Sequence, residues 1–364
     1  MKKIFIIVCL SFLIFALNGC IFKSFFGSSE QSSVSVSSIS VTPTVQAQLV
    51  ISDYFSYKAD TKYVYDGIGN EFASYDVYVD YLGNGIVQLR KETGGSTIVN
   101  VLKASGGMLS VLTSKGEIYY REDFMSNPGT DPEILLKEPL VKGTTWTVPA
   151  TQSVPVGNKR YISNVDVEII TPAGVYSALE VTTEDGKNRT LDYYAADVGL
   201  VKSIFKSGET EISSTLSKIE NNVPLIQTVR FFYPDVINDK IFYVDKQLSF
   251  YTNDSTPAIF EKVYKELLDE KFGKILSSDA KVNSMMIDKN NIVNIDFSQE
   301  FLDDMNAGSD YESMILQCIT NTLGVYYDTD KVIITVAGKL YSSGHIELKE
   351  GEFFTVDLTN SHQY

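Results

Sequence analysis

Tyr75-Asp76-Val77-Tyr78-Val79-Asp80-Tyr81-Leu82-Gly83-Asn84-Gly85-Ile86-Val87-Gln88-Leu89-Arg90 spells a strand, a turn and a second strand. β-branched and aromatic residues stand mostly in alternation on either side of Leu82-Gly83-Asn84-Gly85. A period of two is what a strand with one face in a core requires. The Gly and Asn residues between are turn formers. The pattern runs outward through Tyr63-Val64-Tyr65, Ile98-Val99-Asn100-Val101-Leu102, Ile118-Tyr119-Tyr120, Val165-Asp166-Val167-Glu168-Ile169, Ala178-Leu179-Glu180-Val181-Thr182-Thr183 and Leu191-Asp192-Tyr193-Tyr194. Gly67-Ile68-Gly69-Asn70, Gly94-Gly95 and Gly106-Gly107 punctuate it. No segment from Ile51 to about Ile219 keeps a 3.6-residue period over three turns. Residues 50–221 are therefore expected to form an all-β domain, an antiparallel, strongly curved sheet or open barrel.

Three short motifs in this region resemble recurring elements of exported bacterial β-domains. They are Asp53-Tyr54-Phe55 with Thr61-Lys62-Tyr63-Val64-Tyr65 as an opening strand, Gly143-Thr144-Thr145-Trp146, and Tyr193-Tyr194-Ala195-Ala196-Asp197-Val198-Gly199-Leu200-Val201-Lys202. The resemblance implies a location and a shape, not a chemistry. The one Trp would cap the core. A curved sheet can also enclose a lipid or other apolar ligand, although aromatic stripes inside such sheets are more often plain core.

Lys218-Ile219-Glu220-Asn221-Asn222-Val223-Pro224 is polar and Pro-bearing, as a linker is. Beyond it strands alternate with amphipathic helices. Thr228 to Pro234 is a first strand, and Ile241–Asp245 and Leu248–Tyr251 a second and third. Thr256-Pro257 is an N-cap followed by Pro at the first helical position. That helix places Ile259, Phe260, Val263, Tyr264, Leu267 and Leu268 on one face. Met285-Met286-Ile287-Asp288 and Ile292 to Phe297 flank a Lys289-Asn290-Asn291 hairpin turn. Ser309-Asp310-Tyr311-Glu312 has capping-box spacing before a helix that buries Met314, Ile315, Cys318, Ile319, Thr322 and Leu323. Val332 to Ala337 is an apolar strand closing on Gly338-Lys339. Two helices packed on a sheet make an α+β unit.

The region from about Thr228 to Leu358 resembles the GerMN domain, a sporulation and spore-germination module of Gram-positive bacteria. The resemblance rests on Val229 to Pro234, on the helix begun by Pro257, and on Ile292-Val293-Asn294-Ile295-Asp296-Phe297-Ser298-Gln299-Glu300-Phe301. It also rests on Ile319-Thr320-Asn321-Thr322-Leu323 and on Val332 to Lys339. Ala337 departs from the acidic residue or Asn usual before Gly-Lys, and Gly324 to Asp330 carries acids where apolar or basic residues are commoner. The resemblance implies a non-enzymatic ring-building or scaffold module in an α+β fold spanning 225–358, followed by a tail, 359–364. One copy is present, where some relatives carry two.

At the other end, Lys2 and Lys3 lead into an apolar run from Ile4 to Leu17, then Leu17-Asn18-Gly19-Cys20. A basic start and an apolar run too short to span a bilayer read as an export signal. The cysteine resembles that of the bacterial lipobox, with Asn18 atypical. The resemblance implies removal of residues 1–19 and attachment of membrane lipid to Cys20, palmitate being one such acyl group. Ser-rich residues 27–48 fit a flexible tether spanning about 25 Å, so 20–49 is expected to leash the folded part to the outer face of a Gram-positive-type cell membrane.

The 31 Lys and Arg against 46 Asp and Glu give a net charge of −15. Losing residues 1–19 removes two lysines and no acid, leaving −17. Such a surface disfavours nucleic acid. Of the three cysteines, Cys9 leaves with the signal and Cys20 is acylated, so Cys318 has no intrachain partner. On an apolar helix face it reads as buried filler rather than a nucleophile. His345 and His362 are the only histidines, and the second falls in the tail.

No nucleophile motif, phosphate loop or metal-ligand set occurs, so no catalytic, cofactor or metal residue is assigned. Asp296 and Glu300 with Asp303-Asp304 offer the carboxylate pair of a glycosidase, and Asp288-Lys289-Asn290-Asn291 and Asp328-Thr329-Asp330 faintly suggest calcium loops. Acid groupings of this kind arise readily on an acidic surface. The expected function is that of a non-catalytic, lipid-anchored envelope lipoprotein meeting protein partners or itself. The alternative is a binding module for a lipid or cell-wall ligand through the β domain.

Overall fold

A computed structural model of the chain describes residues 49–129, 132–149, 157–266, 268–269 and 272–364. The signal segment, Cys20, residues 20–48 of the tether, and Leu267 lie outside those residues. Twelve strands form one antiparallel sheet: β1 (Thr61–Ile68), β2 (Tyr75–Gly83), β3 (Ile86–Thr93), β4 (Thr97–Ser105), β5 (Met108–Gly116), β6 (Glu133–Lys137), β7 (Thr145–Val148), β8 (Asn158–Thr171), β9 (Gly174–Asp185), β10 (Asn188–Ala195), β11 (Gly199–Ser207) and β12 (Thr210–Asn221). The order is β6-β5-β4-β3-β2-β1-β12-β11-β10-β9-β8-β7, so chain neighbours pair except where β12 returns to β1.

The alternation read from the sequence sets the inner face: Tyr63, Tyr65, Tyr75, Val79, Val87 and Leu89 are buried in one core. Asn84 and Gly85 take φ of 53° and 72° in the β2–β3 turn, the left-handed pair that a two-residue hairpin turn demands. Curvature brings the two edge strands together without a backbone ladder. Trp146 Nε1 on β7 donates to Ile134 O on β6 (2.9 Å), and Arg160 Nη1 on β8 donates to the same oxygen (2.6 Å). Arg160 also pairs with Glu133 at 2.8 Å. The barrel is nearly closed, and side chains close it.

The outer face of β2 and β3 is buried as well. Residues 118–124, between β5 and β6, lie across it. Arg90, fully buried, donates from Nε to Asp80 (3.1 Å), from Nη1 to Ile118 O (2.7 Å) and from Nη2 to Tyr120 O (2.8 Å). Gln88 holds Glu122 O and Phe124 N, each at 2.8 Å. So fixed, the segment delivers Arg121, whose Nη2 donates to Asp80 O (2.8 Å) and Tyr251 O (3.1 Å) and whose Nη1 donates to Asp254 O and Thr256 Oγ1. The Arg121 amide donates to Tyr326 OH at 2.8 Å. These bonds join the barrel to the rest of the chain, and the described residues belong to a single unit.

Past the barrel, β13 (Leu225–Asp235) and β14 (Lys240–Phe250) make a hairpin of eleven paired positions. α1 (Thr256–Lys265) follows, then the β15 (Val282–Ile287) and β16 (Val293–Phe297) hairpin, the short α2 (Glu300–Asp303) and α3 (Ser309–Tyr327). β17 (Lys331–Val336) runs parallel to β16 and carries β18 (Lys339–Leu340) and β19 (Phe354–Thr355). α3 packs on β13, and its last two turns are buried on nearly every side.

Several local expectations are corrected. Ile51–Tyr54 is a 3-10 helix, not part of an opening strand. Ile118-Tyr119-Tyr120 is irregular, because two of its carbonyls go to Arg90 rather than to a ladder. The second and third strands are one, β14. The cap of α1 is Ser255, one residue earlier than read, with Oγ accepting from Ala258 N. α1 stops at Lys265, so Leu268 packs beyond it. No capping box starts α3: Glu312 is buried and accepts instead from Tyr341 OH (2.8 Å) and Ser343 Oγ. Residues 359–364 are not a free tail, because β20 (Ser361–Gln363) adds to β14 in parallel and Phe242 meets the His362 ring.

Glu122 sits half-buried at the junction and accepts from Ile287 N (3.2 Å). Burial lifts its carboxyl from 4.5 to about 7, against the pull of the Ile287 amide and Lys115. A folded pKa raised above the unfolded one means the native state holds the proton more tightly, so stability falls as pH climbs from 4.5 through about 7. Glu122→Gln keeps an acceptor and cannot ionise. Its melting temperature should match the parent below about pH 4.5 and exceed it above about pH 7. Parallel curves across the whole range would refute this account of Glu122.

Candidate functional site

Inside the barrel is a cavity of about 270 Å³. Tyr63 and Tyr65 come from β1, Tyr75 and Val77 from β2, Leu89 and Lys91 from β3, and Asn100 and Leu102 from β4. Val111 and Ser114 on β5, Glu133 and Leu135 on β6, Tyr194 on β10 and Leu200 on β11 complete its wall, with Tyr57 entering from the segment before β1. Strand parity places most of these: Leu89 and Lys91 are two apart on one face, as are Tyr63 and Tyr65, while Val111 and Ser114, three apart, share the face through a bulge in β5. Tyr65 and Tyr75 stack with centroids 4.5 Å apart, and Tyr57 meets Tyr63 edge-on at 6.1 Å.

Lys91 is the cation in this wall. Its Nζ stands 3.7 Å over the Tyr75 ring. Burial lowers its pKa, with Asp192 drawing it back up. Burial likewise raises the Tyr57 and Tyr194 phenols. Tyr65 OH is occupied, donating to Leu200 O at 2.7 Å, whereas the Tyr57 and Tyr194 hydroxyls have no hydrogen-bond partner among the described residues. Asp192 has its carboxyl raised by burial and accepts from Ser203 Oγ at 2.6 Å.

The residues weighed from sequence have other employment. Cys20 lies outside the described residues. Cys318 is fully buried in α3, and burial raises its thiol. Asp296 accepts from Thr335 Oγ1 (2.6 Å), Gly338 N (2.8 Å) and Asn283 Nδ2 (2.8 Å), which together outweigh burial and lower its pKa. Ser277 Oγ donates to Asp304 and Gln299 Nε2 to Asp303. Exposed Glu300 is lowered by the Ser298 hydroxyl. Asp288 Oδ1 accepts from Asn290 N (2.8 Å) and Ile292 N (3.0 Å), forming the hairpin turn itself. Asp328 ends α3 with φ of 56°. Among the described residues no group of three or more His, Cys, Asp and Glu could hold a metal ion.

Lys91 escaped the sequence reading although a signal was there: a Lys continuing the inward parity of Val87 and Leu89. The partners that make it matter include Tyr194, which arrives from β10, far along the chain.

A protein-family model described as Germane, sporulation and spore germination, matches residues 231–342, less than a third of the chain. No curated protein matches. Among solved structures, the tandem GerMN domains of the sporulation protein GerM from Bacillus subtilis are 25% identical over 37% of this chain and 45% of theirs, with a TM-score of 0.26. This chain thus spans less than half of that tandem protein. The first GerMN domain of that protein is 23% identical over 36% of this chain and 97% of its own, TM-score 0.27. A protein from Bacteroides fragilis described as exported, with a YmcC-like fold, is 14% identical over 46% of this chain and 99% of its own, TM-score 0.28.

Ala337, the departure noted in the Germane-like stretch, has φ of 50° beside Gly338 at 75°. The position is a type I′ turn site that favours Asn or Asp for backbone reasons, and Ala there costs about 1 kcal/mol. Ala337→Asn should therefore raise stability by about 1 kcal/mol. Asp296→Ala, which strips three donors of their acceptor, should lower it by about 2 kcal/mol. Thermal or urea melts of the two variants check both signs.

Proposed function

We propose that this chain is a non-catalytic, membrane-anchored extracytoplasmic lipoprotein that works as an interaction module of the cell envelope in sporulation or spore germination. The family match over residues 231–342 carries the sporulation and germination part of this reading. Region 225–358, with α1 and α3 against its sheets, is the proposed GerMN-type α+β unit. The lipobox-like Leu17-Asn18-Gly19-Cys20 supports anchoring through acylated Cys20 on the outer face of a Gram-positive-type membrane. Its partners are proposed to be envelope proteins or further copies of itself, with membrane lipid as the anchor. The chemistry is consistent with binding rather than turnover: Asp296, Asp303 and Asp304 are engaged in structural hydrogen bonds, and the buried Cys318 thiol is held protonated.

The test is cross-linking of the tagged full-length chain in its native cells through growth and sporulation, followed by identification of what is captured. Envelope proteins or the chain itself, captured once sporulation begins, are expected. Cys20→Ala should release the chain from the membrane fraction and diminish that capture. Recovery of no protein at any stage, from cells that contain the chain, would sink the interaction reading.

A further inference from the structure

We propose that the barrel cavity binds a small monocarboxylate with an aromatic body, its carboxylate on Lys91 and its ring among Tyr57, Tyr63, Tyr65 and Tyr75. The inference begins with charge. In a chain of net charge −15, Lys91 places an ammonium in an aromatic wall, and it forms no ion pair with any described residue. A half-buried cation with no ion-pair partner is costly, and a bound carboxylate relieves that cost. Asp192 attracts it through space, but no nearby acid forms an ion pair with it. Glu133 is tied to Arg160 at 2.8 Å, and Asp192 is outside the lining and takes its hydrogen bond from Ser203. The unpartnered Tyr57 and Tyr194 hydroxyls add two donors suited to the same anion.

Volume sets the size. A cavity of about 150 Å³ accommodates benzene, so one of about 270 Å³ holds about eleven non-hydrogen atoms on the same scale. A ligand held wholly inside is thus smaller than a nucleotide or a long acyl chain. A second anionic group would meet Glu133 and find no further cation in the wall. Flat rings on several sides favour a flat body, which stacks where a branched one cannot.

The probe is 3-phenylpropionate, titrated calorimetrically into the full-length chain, with 3-phenylpropionamide as its neutral isostere and 3-phenylpropylamine as its cationic counterpart. The carboxylate is expected to bind at least about tenfold more tightly than the amide, a difference of about 1.4 kcal/mol. The amine should bind most weakly. Lys91→Met should bring carboxylate and amide to equal affinity while leaving the amide's own affinity little changed, and that retained amide binding reports an intact cavity. Equal affinities in the parent chain would overturn the proposal, as would a carboxylate preference that survives Lys91→Met, tightest binding of the amine, or no binding of any probe.

Discussion

The Arg121 guanidinium is where the molecule is tied together. It is 1% exposed, and its two terminal nitrogens donate to Asp80 O on the barrel and to Tyr251 O, Asp254 O and Thr256 Oγ1 at the start of α1. Its flat faces are used too, lying over the Tyr81 and Phe250 rings at 4.2 and 5.2 Å. A charge so deep is tolerated only when nearly every donor is engaged. Arg90, itself buried and paired with Asp80, holds the Ile118 and Tyr120 carbonyls just ahead of Arg121, and Gln88 holds the Glu122 carbonyl just after it. One cation positions the segment and the other uses it. The barrel cannot shift against β14 and α1 without stranding buried charge. Tyr78 and Tyr120 accordingly pack on the hydrophobic core of the C-terminal region rather than on that of the barrel.

What could be read in the sequence follows from the range of the forces involved. Alternation and turn residues are local, and they foretold the antiparallel curved sheet, the hairpin at Asp288 and the burial of Cys318. Failures occurred where a distant partner overrode a local preference. Ile118-Tyr119-Tyr120 has the composition of a strand, yet its carbonyls answer to Arg90, twenty-eight and thirty residues back in the chain. Glu312 has the spacing of a cap and serves Tyr341 and Ser343 instead. Ser361 to Gln363 lacks any pattern of its own and becomes a strand because the edge of β14 is open to it. The cavity was legible only as an expectation that curved sheets can enclose something. Lys91 needed Tyr57 and Tyr194 beside it before its position said anything about a ligand.

The Germane-like stretch is set within this frame rather than appended to it. The match begins at residue 231, inside β13, and stops at 342, before β19 and β20. β19 pairs with β17, and β20 extends the hairpin on which α3 rests, so chain beyond the match completes both C-terminal sheets. Tyr326 near the end of α3 donates to Gln227 (2.9 Å) and accepts from the Arg121 amide (2.8 Å). One face of the matched region is thus already occupied by the barrel. Any partner must approach from elsewhere.

The seam between β6 and β7 has a mechanical meaning. Every other neighbouring pair in the twelve-stranded sheet is a ladder of backbone hydrogen bonds, stiff along its length. At the seam, Trp146 and Arg160 reach one carbonyl, that of Ile134. Arg160 also pairs with Glu133 there, so among the described residues side chains rather than a ladder join this one pair of neighbouring strands. Glu133 and Leu135, which line the cavity, flank that carbonyl. The interior and the seam thus share one strand: the residues on either side of the gripped carbonyl are wall of the cavity.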